Sequence, residues 1–361
     1  MTTVAQEIPP RMRAPVLHGW NDMRVEEVPT PTFAEDEVLL RARANGLCGT
    51  DLHIIDGTFA GRWPPGFPFI IGHEWAGEVV AVGAAVQTLR VGDRVVGENH
   101  KACRICRMCR EGRYNLCEAA GHPERGHRHY GHRDQGALAE YAARPAALLY
   151  KIPDTVTFEE ASIVNQAAIA FHACRRGRVQ PGDTVAVLGP GLLGLLSLQI
   201  ALAMGAGRVI VTGTGRGNRL ALAKELGAAE TIDVTREDAV KRIREITDGR
   251  GVDAAIECAG TAEALRTGLG CVRRGGAVAL TGLMGKKEVS IMTDPMVLDE
   301  VDPLGVRSGP NSFRPVIALI AAGRINLKPL VAHTFPLEKI HAALEDFKAG
   351  RTGAVRAIIQ I

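Results

Sequence analysis

At 361 residues the chain is too long for one small core, and two domains are the natural expectation. Hydrophobic residues at 46% can fill a sizeable interior, while a net charge of +3 gives no electrostatic basis for binding nucleic acid or a membrane surface. The opening MTTVAQEIPPRMR lacks a signal-peptide core, and the longest apolar run, near Leu192–Met204, is shorter than the ~20 residues a bilayer requires. A cytosolic protein is expected. In that setting eight cysteines point to metal or catalytic chemistry rather than disulfides.

In chain order, the first ~150 residues read as β-rich. Glu37–Ala44 alternates apolar and charged residues as a half-buried strand does. Valine-rich strands are expected at Glu78–Val82 and Asp93–Val96, with a long Pro- and Gly-rich loop between Gly57 and Gly72. The texture changes near residue 155. Helix is expected over Phe158–Arg175, then strand Thr184–Leu188, helix Leu192–Met204, strand Arg208–Thr212 and helix Arg219–Leu226. Helix Ala239–Thr247, strand Val252–Glu257, helix Ala262–Leu269 and strand Ala277–Thr281 follow. Short apolar strands alternating with helices mean a parallel sheet covered on both faces. Helices Arg314–Ala322 and Leu337–Ala349, a strand near Leu330–Phe335 and the terminal strand Ala354–Ile361 return to the first texture. The expected organisation is α/β: a nucleotide-binding domain at 161–310 set between two pieces of another domain, 1–160 and 311–361.

Cys103, Cys106, Cys109 and Cys117 lie at intervals that let four thiolates surround one tetrahedral zinc. Four filled positions leave none for a substrate, so this lobe, within 100–118, reads as structural. Arg104, Arg107 and Arg110 would offset its negative charge. A second set lies upstream: Cys48-Gly49-Thr50-Asp51-Leu52-His53, then Gly72-His73-Glu74. One thiolate and one imidazole are good zinc ligands, and Asp51 and Glu74 are acids able to orient them. Taken alone, that pair is as readily a buried cysteine and a satisfied histidine.

Gly189-Pro190-Gly191-Leu192-Leu193-Gly194 follows a strand and opens an apolar helix, the context in which a G-x-G-x-x-G binds a dinucleotide. The first glycine allows a tight turn, the second lets backbone approach pyrophosphate, and the third packs helix on strand. The phosphates meet the helix N-terminus. After the next strand comes Gly213-Thr214-Gly215-Arg216-Gly217-Asn218-Arg219, with no acid in reach of a ribose 2′-hydroxyl. Thr214 with Arg216 or Arg219 would welcome the 2′-phosphate of NADP, so NADP is favoured over NAD.

CGTDLH, then GHE, the four-cysteine lobe and the glycine-rich loop occur in that order over nearly the whole chain. This pattern resembles the zinc-containing medium-chain dehydrogenase/reductase family, and its sorbitol and threonine dehydrogenase branch most. The resemblance implies a GroES-like catalytic domain and a Rossmann coenzyme domain, with two zinc ions per chain. It implies hydride transfer between a secondary alcohol or polyol and NAD(P), in either direction. By it, Cys48 and His73 bind the catalytic zinc, Thr50 hydrogen-bonds the substrate oxygen and His53 continues a proton relay. Asp51 holds His73, and Glu74 sits beside the metal. Where the branch carries a glutamate near the zinc, this chain has Asn165-Gln166. Glu74 then coordinates directly, a water fills the position, Asn165 ligates weakly, or the metal is labile or lost.

Cys174 is expected in the core. Gly121–His132 carries four histidines and reads as a polar, exposed loop, with a third metal as the alternative. Its place after the lobe makes His129 and Tyr130 candidates for the substrate cleft. Glu257 to Gly260 is expected near nicotinamide. The partners are a small alcohol or carbonyl and further copies of the chain, as a homodimer or homotetramer. Two rivals remain: a zinc-free quinone or enoyl reductase sharing the coenzyme loop, and a non-enzymatic zinc-ribbon binder of nucleic acid, which would need a basic face.

Overall fold

The computed structural model describes residues 3–4, 8–285, 287–331, 333–350 and 356–361. They form two compact units. One comprises the described residues up to Asn165 with 327–350 and Arg356–Ile361, and the other spans Gln166–Asn326. Among the described residues no helix is long and apolar enough to cross a membrane.

The first unit is built on an eight-stranded sheet. Its central path runs Leu149–Lys151, Arg94–Gly97, Trp75–Val82, Glu37–Gly46, Ala357–Gln360, His333–Pro336. Glu37–Gly46 alternates as expected, yet it is not half-buried. Val38 and Leu40 pack with Val79 and Val95 on one face, while Leu39 packs with Met12, Ala14 and Val16 on the other. The second cover is the hairpin Arg11–Gly19/Asp22–Pro29, whose interrupted alternation hid it in the sequence. Glu37, Arg41 and Arg43 are the partly exposed exceptions on the strand. The terminal strand pairs antiparallel with Glu37–Gly46, Ile358 opposite Gly46. Arg356, just before it, therefore lies beside Leu47 and Cys48.

The second unit holds a six-stranded, wholly parallel sheet. Its order is Glu230–Asp233, Arg208–Gly213, Thr184–Leu188, Val252–Glu257, Val272–Leu280, Asp302–Gly305. The chain starts in the middle, winds outward, then returns to wind the other way. The strand order thus reverses between Thr184–Leu188 and Val252–Glu257, the position at which open α/β sheets bind ligands. The central strands are buried throughout, as near-continuous apolar runs require. Helix Phe158–Arg175 is found as two, Phe158–Ser162 and Val164–Arg176, separated at Ile163. Thr157 caps the first through a capping box with Glu160. The helix Phe313–Ala321 falls in the second unit.

Candidate metal centres and coenzyme loop

The four lobe cysteines come together with no disulfide. Their sulfurs lie 3.4 Å (Cys103–Cys117), 3.9 Å (Cys103–Cys109) and 4.0 Å (Cys106–Cys117) apart. A tetrahedron with Zn–S bonds of about 2.3 Å has edges of about 3.8 Å. The spacing therefore matches one zinc. Backbone N–H groups of Ile105 and Cys106 hold the Cys103 thiol down to about 6, and that of Glu118 lowers Cys106. Backbone dipoles thus favour the thiolate form at Cys103 and Cys106, whereas burial pushes Cys109 and Cys117 up, so those two thiols give up their protons only to a bound metal.

The second centre arises where a strand ends in a helix. Cys48 is the N-cap of the helix Gly49–Ile55, and its backbone N–H donates to Asp51 Oδ2 at 2.9 Å in a capping box. The other oxygen, Asp51 Oδ1, lies 3.2 Å from His73 Nδ1. One carboxylate thus fixes both the cysteine's backbone and the histidine's ring. Burial works against a proton on His73, but Asp51, with Cys48 adding, outweighs it and holds the ring well above its ordinary pKa. The proton facing Asp51 is on Nδ1, so a metal would bind at Nε2 by displacing the second proton of the ring. Cys48, His73 and Glu74 are all buried, and one ligand atom of each lies within 4.8 Å of the others. Three protein donors, one fewer than a closed structural site uses, is the pattern of a catalytic zinc.

Arg356 completes this centre, and nothing in its local sequence singles it out. Its Nη2 donates to Glu74 Oε1 at 3.0 Å and its Nη1 to the Leu47 carbonyl at 2.7 Å. It is 6% exposed, and burial disfavours its charge, yet Glu74, Cys48 and Asp51 together raise its pKa. With Cys48 as thiolate, three negative charges share this buried space. Arg356 cancels one; in the metal-free site the protonated His73 ring offsets a second, and a divalent cation that replaces this proton cancels both remaining charges. The donor set therefore fits zinc in charge as well as in chemistry.

Thr50 and His53 stand on the same short helix, both half-buried. His53 Nδ1 lies 4.0 Å from Asp56 Oδ2. Asn165 is half-buried in the first turn of Val164–Arg176. The histidine loop differs from its expectation: His127, His129 and His132 are buried, and His122 remains exposed. Tyr130 is buried under the Arg144 guanidinium. Cys174 is fully buried, as a core cysteine should be.

In the second unit the glycine loop takes the form its motif requires. Gly189 has φ +109°, and a Cβ on Gly194 would lie 1.9 Å from the Gly189 carbonyl oxygen. Gly191 caps the helix Leu192–Ala203, and its Cβ position meets nothing within 4 Å, which leaves backbone open to a phosphate. Thr214 and Arg216 are exposed and Arg219 is half-buried. The expectation of no acid in reach is corrected here. Asp233 ends the neighbouring strand, pairs with Gly213, and puts Oδ2 3.1 Å from where a Cβ on Gly215 would stand. Sequence distance concealed it, because the acid comes from the next strand. Glu257 is fully buried and accepts backbone N–H bonds from Ala259 (2.8 Å), Gly260 (2.7 Å) and Gly282 (3.3 Å). Burial raises its pKa despite these donors.

Two family descriptions match the chain: "Alcohol dehydrogenase GroES-like domain" over residues 34–154 and "Zinc-binding dehydrogenase" over 193–322. Sorbitol dehydrogenase of Bacillus subtilis is 37% identical over 342 residues, covering 94% of each chain. The chain belongs to the zinc-containing medium-chain dehydrogenase family, in its sorbitol dehydrogenase branch. Among solved structures, a zinc-binding dehydrogenase of Sinorhizobium meliloti bound to NADP is 30% identical with a TM-score of 0.87, covering 97% of this chain and 99% of that one. Alcohol dehydrogenase TADH from Thermus sp. ATN1 is 31% identical with a TM-score of 0.86 over the same shares. As a member of the family the chain is an α/β enzyme with a GroES-like and a Rossmann-type part, using zinc and NAD(P).

Arg356→Ala leaves the Glu74 carboxylate buried beside two other acids. Metal-free protein should lose about 3 kcal/mol of stability, as breaking a buried pair does, and zinc-loaded protein less. Denaturant unfolding with and without chelator checks this; a loss below about 1 kcal/mol in the metal-free protein would refute the anchoring role.

Proposed function

We propose that the chain interconverts a secondary alcohol or polyol and its carbonyl, with zinc held by Cys48, His73 and Glu74. The observation that carries this is the buried group of Cys48, His73 and Glu74, whose ligand atoms lie within 4.8 Å of one another with Arg356 against Glu74. Bound there, zinc supplies Lewis-acid chemistry that lowers the pKa of an alcohol hydroxyl. The chain's own residues do the rest. Asp51 fixes His73, Arg356 neutralises Glu74, and the closed surroundings exclude bulk water. Thr50 Oγ1 takes the hydrogen bond of the substrate hydroxyl, and His53, one turn along the same helix face, passes the proton outward. Of the alternatives for the third protein ligand, Glu74 has the geometry in its favour. Gly189, Gly191 and Gly194, with Leu192 and Leu193 opening the helix, seat the coenzyme pyrophosphate. The domain roles are proposed accordingly: the first unit carries the metal chemistry, the second the coenzyme, and both act in the cytosol.

Two zinc ions per chain are expected. Cys48→Ser should lose one zinc and all turnover while still binding coenzyme. Cys106→Ser should lose the other zinc and unfold at lower temperature. Elemental analysis beside steady-state rates reads both. A zinc-free reductase would show turnover that is indifferent to Cys48.

Coenzyme choice is set by opposed charges at two strand ends. Arg216 and Arg219 attract a 2′-phosphate, whereas Asp233 repels it. Asp233→Asn should raise kcat/KM for NADP relative to NAD by about tenfold, about 1.4 kcal/mol. An unchanged ratio would remove Asp233 from the discrimination.

A homodimer or homotetramer has support in the second unit. Met292, Val297 and Leu298 are each about three-quarters exposed on the segment that leads into the edge strand Asp302–Gly305. A second copy of the chain would cover them. Sedimentation of wild type against Leu298→Lys should show a multimer dissociating; a wild-type monomer sinks the assignment.

A further inference from the structure

The histidine-rich loop has no part in the function so far, although the structure builds it against the catalytic centre. The His132 ring lies 4.5 Å from the His73 ring, centroid to centroid, with the planes at 50°. On its other side His129 stacks at 3.9 Å and 5°, and His100 stacks on His129 at 3.9 Å and 22°. Trp63 meets the edges of His132 and His129 at 4.7 and 5.5 Å. A column of imidazoles thus begins on a metal ligand and runs away from it. Each of the four rings belongs to a residue no more than 7% exposed.

The backbone is shaped to bring the column there. His100 and His129 face each other in a two-stranded ribbon, His100–Lys101 with Arg128–His129. Next to it, Asn99 donates from Nδ2 to the His73 carbonyl at 2.7 Å and accepts the Tyr130 N–H at 2.9 Å. Between Tyr130 and His132 stands Gly131, φ +77°. A Cβ on it would lie 2.6 Å from the Gly72 oxygen and 2.9 Å from the His73 Cβ. The loop approaches His73 so closely that only glycine fits at that point.

Asp51 at Nδ1 sets the tautomer and the direction of the His73 ring. Contacts made in the ring plane, from Asp51 and from Cys48, still leave the ring free to tilt about the line through them. A flat neighbour on the face removes that freedom, and tilted or stacked ring pairs add about 0.5–1.5 kcal/mol beyond burial. His132 is not itself in the donor group, which consists of Cys48, His73 and Glu74.

We propose that His132, backed by His129 and Trp63, is a positioning residue that fixes the plane of the His73 ring and so retains the catalytic zinc. This rests on the reading of Cys48, His73 and Glu74 as the zinc centre. Groups that orient a metal's ligands typically change its affinity 10- to 100-fold when removed.

The test follows zinc release from the purified full-length protein under excess chelator, with a colour indicator, beside the visible spectrum after cobalt replaces the catalytic zinc. In His132→Ala one of the two zinc ions should leave about tenfold faster than in wild type, and the cobalt bands should shift. The lobe zinc should leave at the wild-type rate in the same trace. His132→Phe, which restores a flat ring, should restore both readouts. If the alanine variant does not fold, His132→Leu takes its place, keeping bulk without the ring plane. Wild-type release and spectrum in the alanine or leucine variant would overturn the proposal, as would a folded phenylalanine variant that restores neither. A wild-type protein holding only the lobe zinc would overturn the catalytic-centre reading itself, and with it the role of His132.

Discussion

Three acidic groups and one guanidinium share a buried space, and much of the first unit serves that arrangement. Asp51, Glu74 and Cys48 are all buried there and call for compensating charge, because an unpaired buried charge is among the costliest features of a folded chain. Arg356 supplies part of it from the far end of the sequence. It can do so because the terminal strand pairs beside Glu37–Gly46, with Ile358 opposite Gly46. The sheet register is thus an electrostatic device: a slip by one residue would turn Arg356 to the other face and leave Glu74 alone.

The same economy of contacts recurs around each ligand. Asp51 serves Cys48 with one oxygen and His73 with the other. Asn99 holds His73 by its backbone while accepting from Tyr130. In the second unit Glu257 ties Ala259, Gly260 and Gly282 with a single carboxylate at the ends of two strands. Each of these groups restricts several segments at once. Pre-organised surroundings of this kind are what hydride and proton transfer require of a protein.

Much of this was legible in the sequence because it depends on local pattern. The strands Thr184–Leu188 and Val252–Glu257 are apolar runs bounded by glycine, and the structure gives both with the bounds read from sequence. The lobe and the glycine loop are written in spacing. What escaped was set by pairing across long separations. Arg356 is one arginine among many until a strand register places it beside Cys48. Asp233 looked remote from the coenzyme loop until parallel pairing set it against Gly213. The hairpin Arg11–Gly19/Asp22–Pro29 lacked clear alternation because one of its strands is buried along most of its length. The histidine loop misled through composition: polar residues usually signal solvent, but imidazoles can stack on one another and so tolerate an interior.

The four-cysteine lobe lies wholly within the connection between the two ribbon strands, after Lys101 and before Arg128. Viewed as a polymer, that connection is a tether, and the metal ties a knot in it. With Cys103 and Cys117 joined through one ion, the free length between the strands is roughly halved, which favours their pairing by about 0.6 kcal/mol. The centre called structural thereby reaches the catalytic one through chain length alone, without any field or shared ligand. Slack in the tether at Cys103 would be felt as looseness in the ribbon that abuts His73.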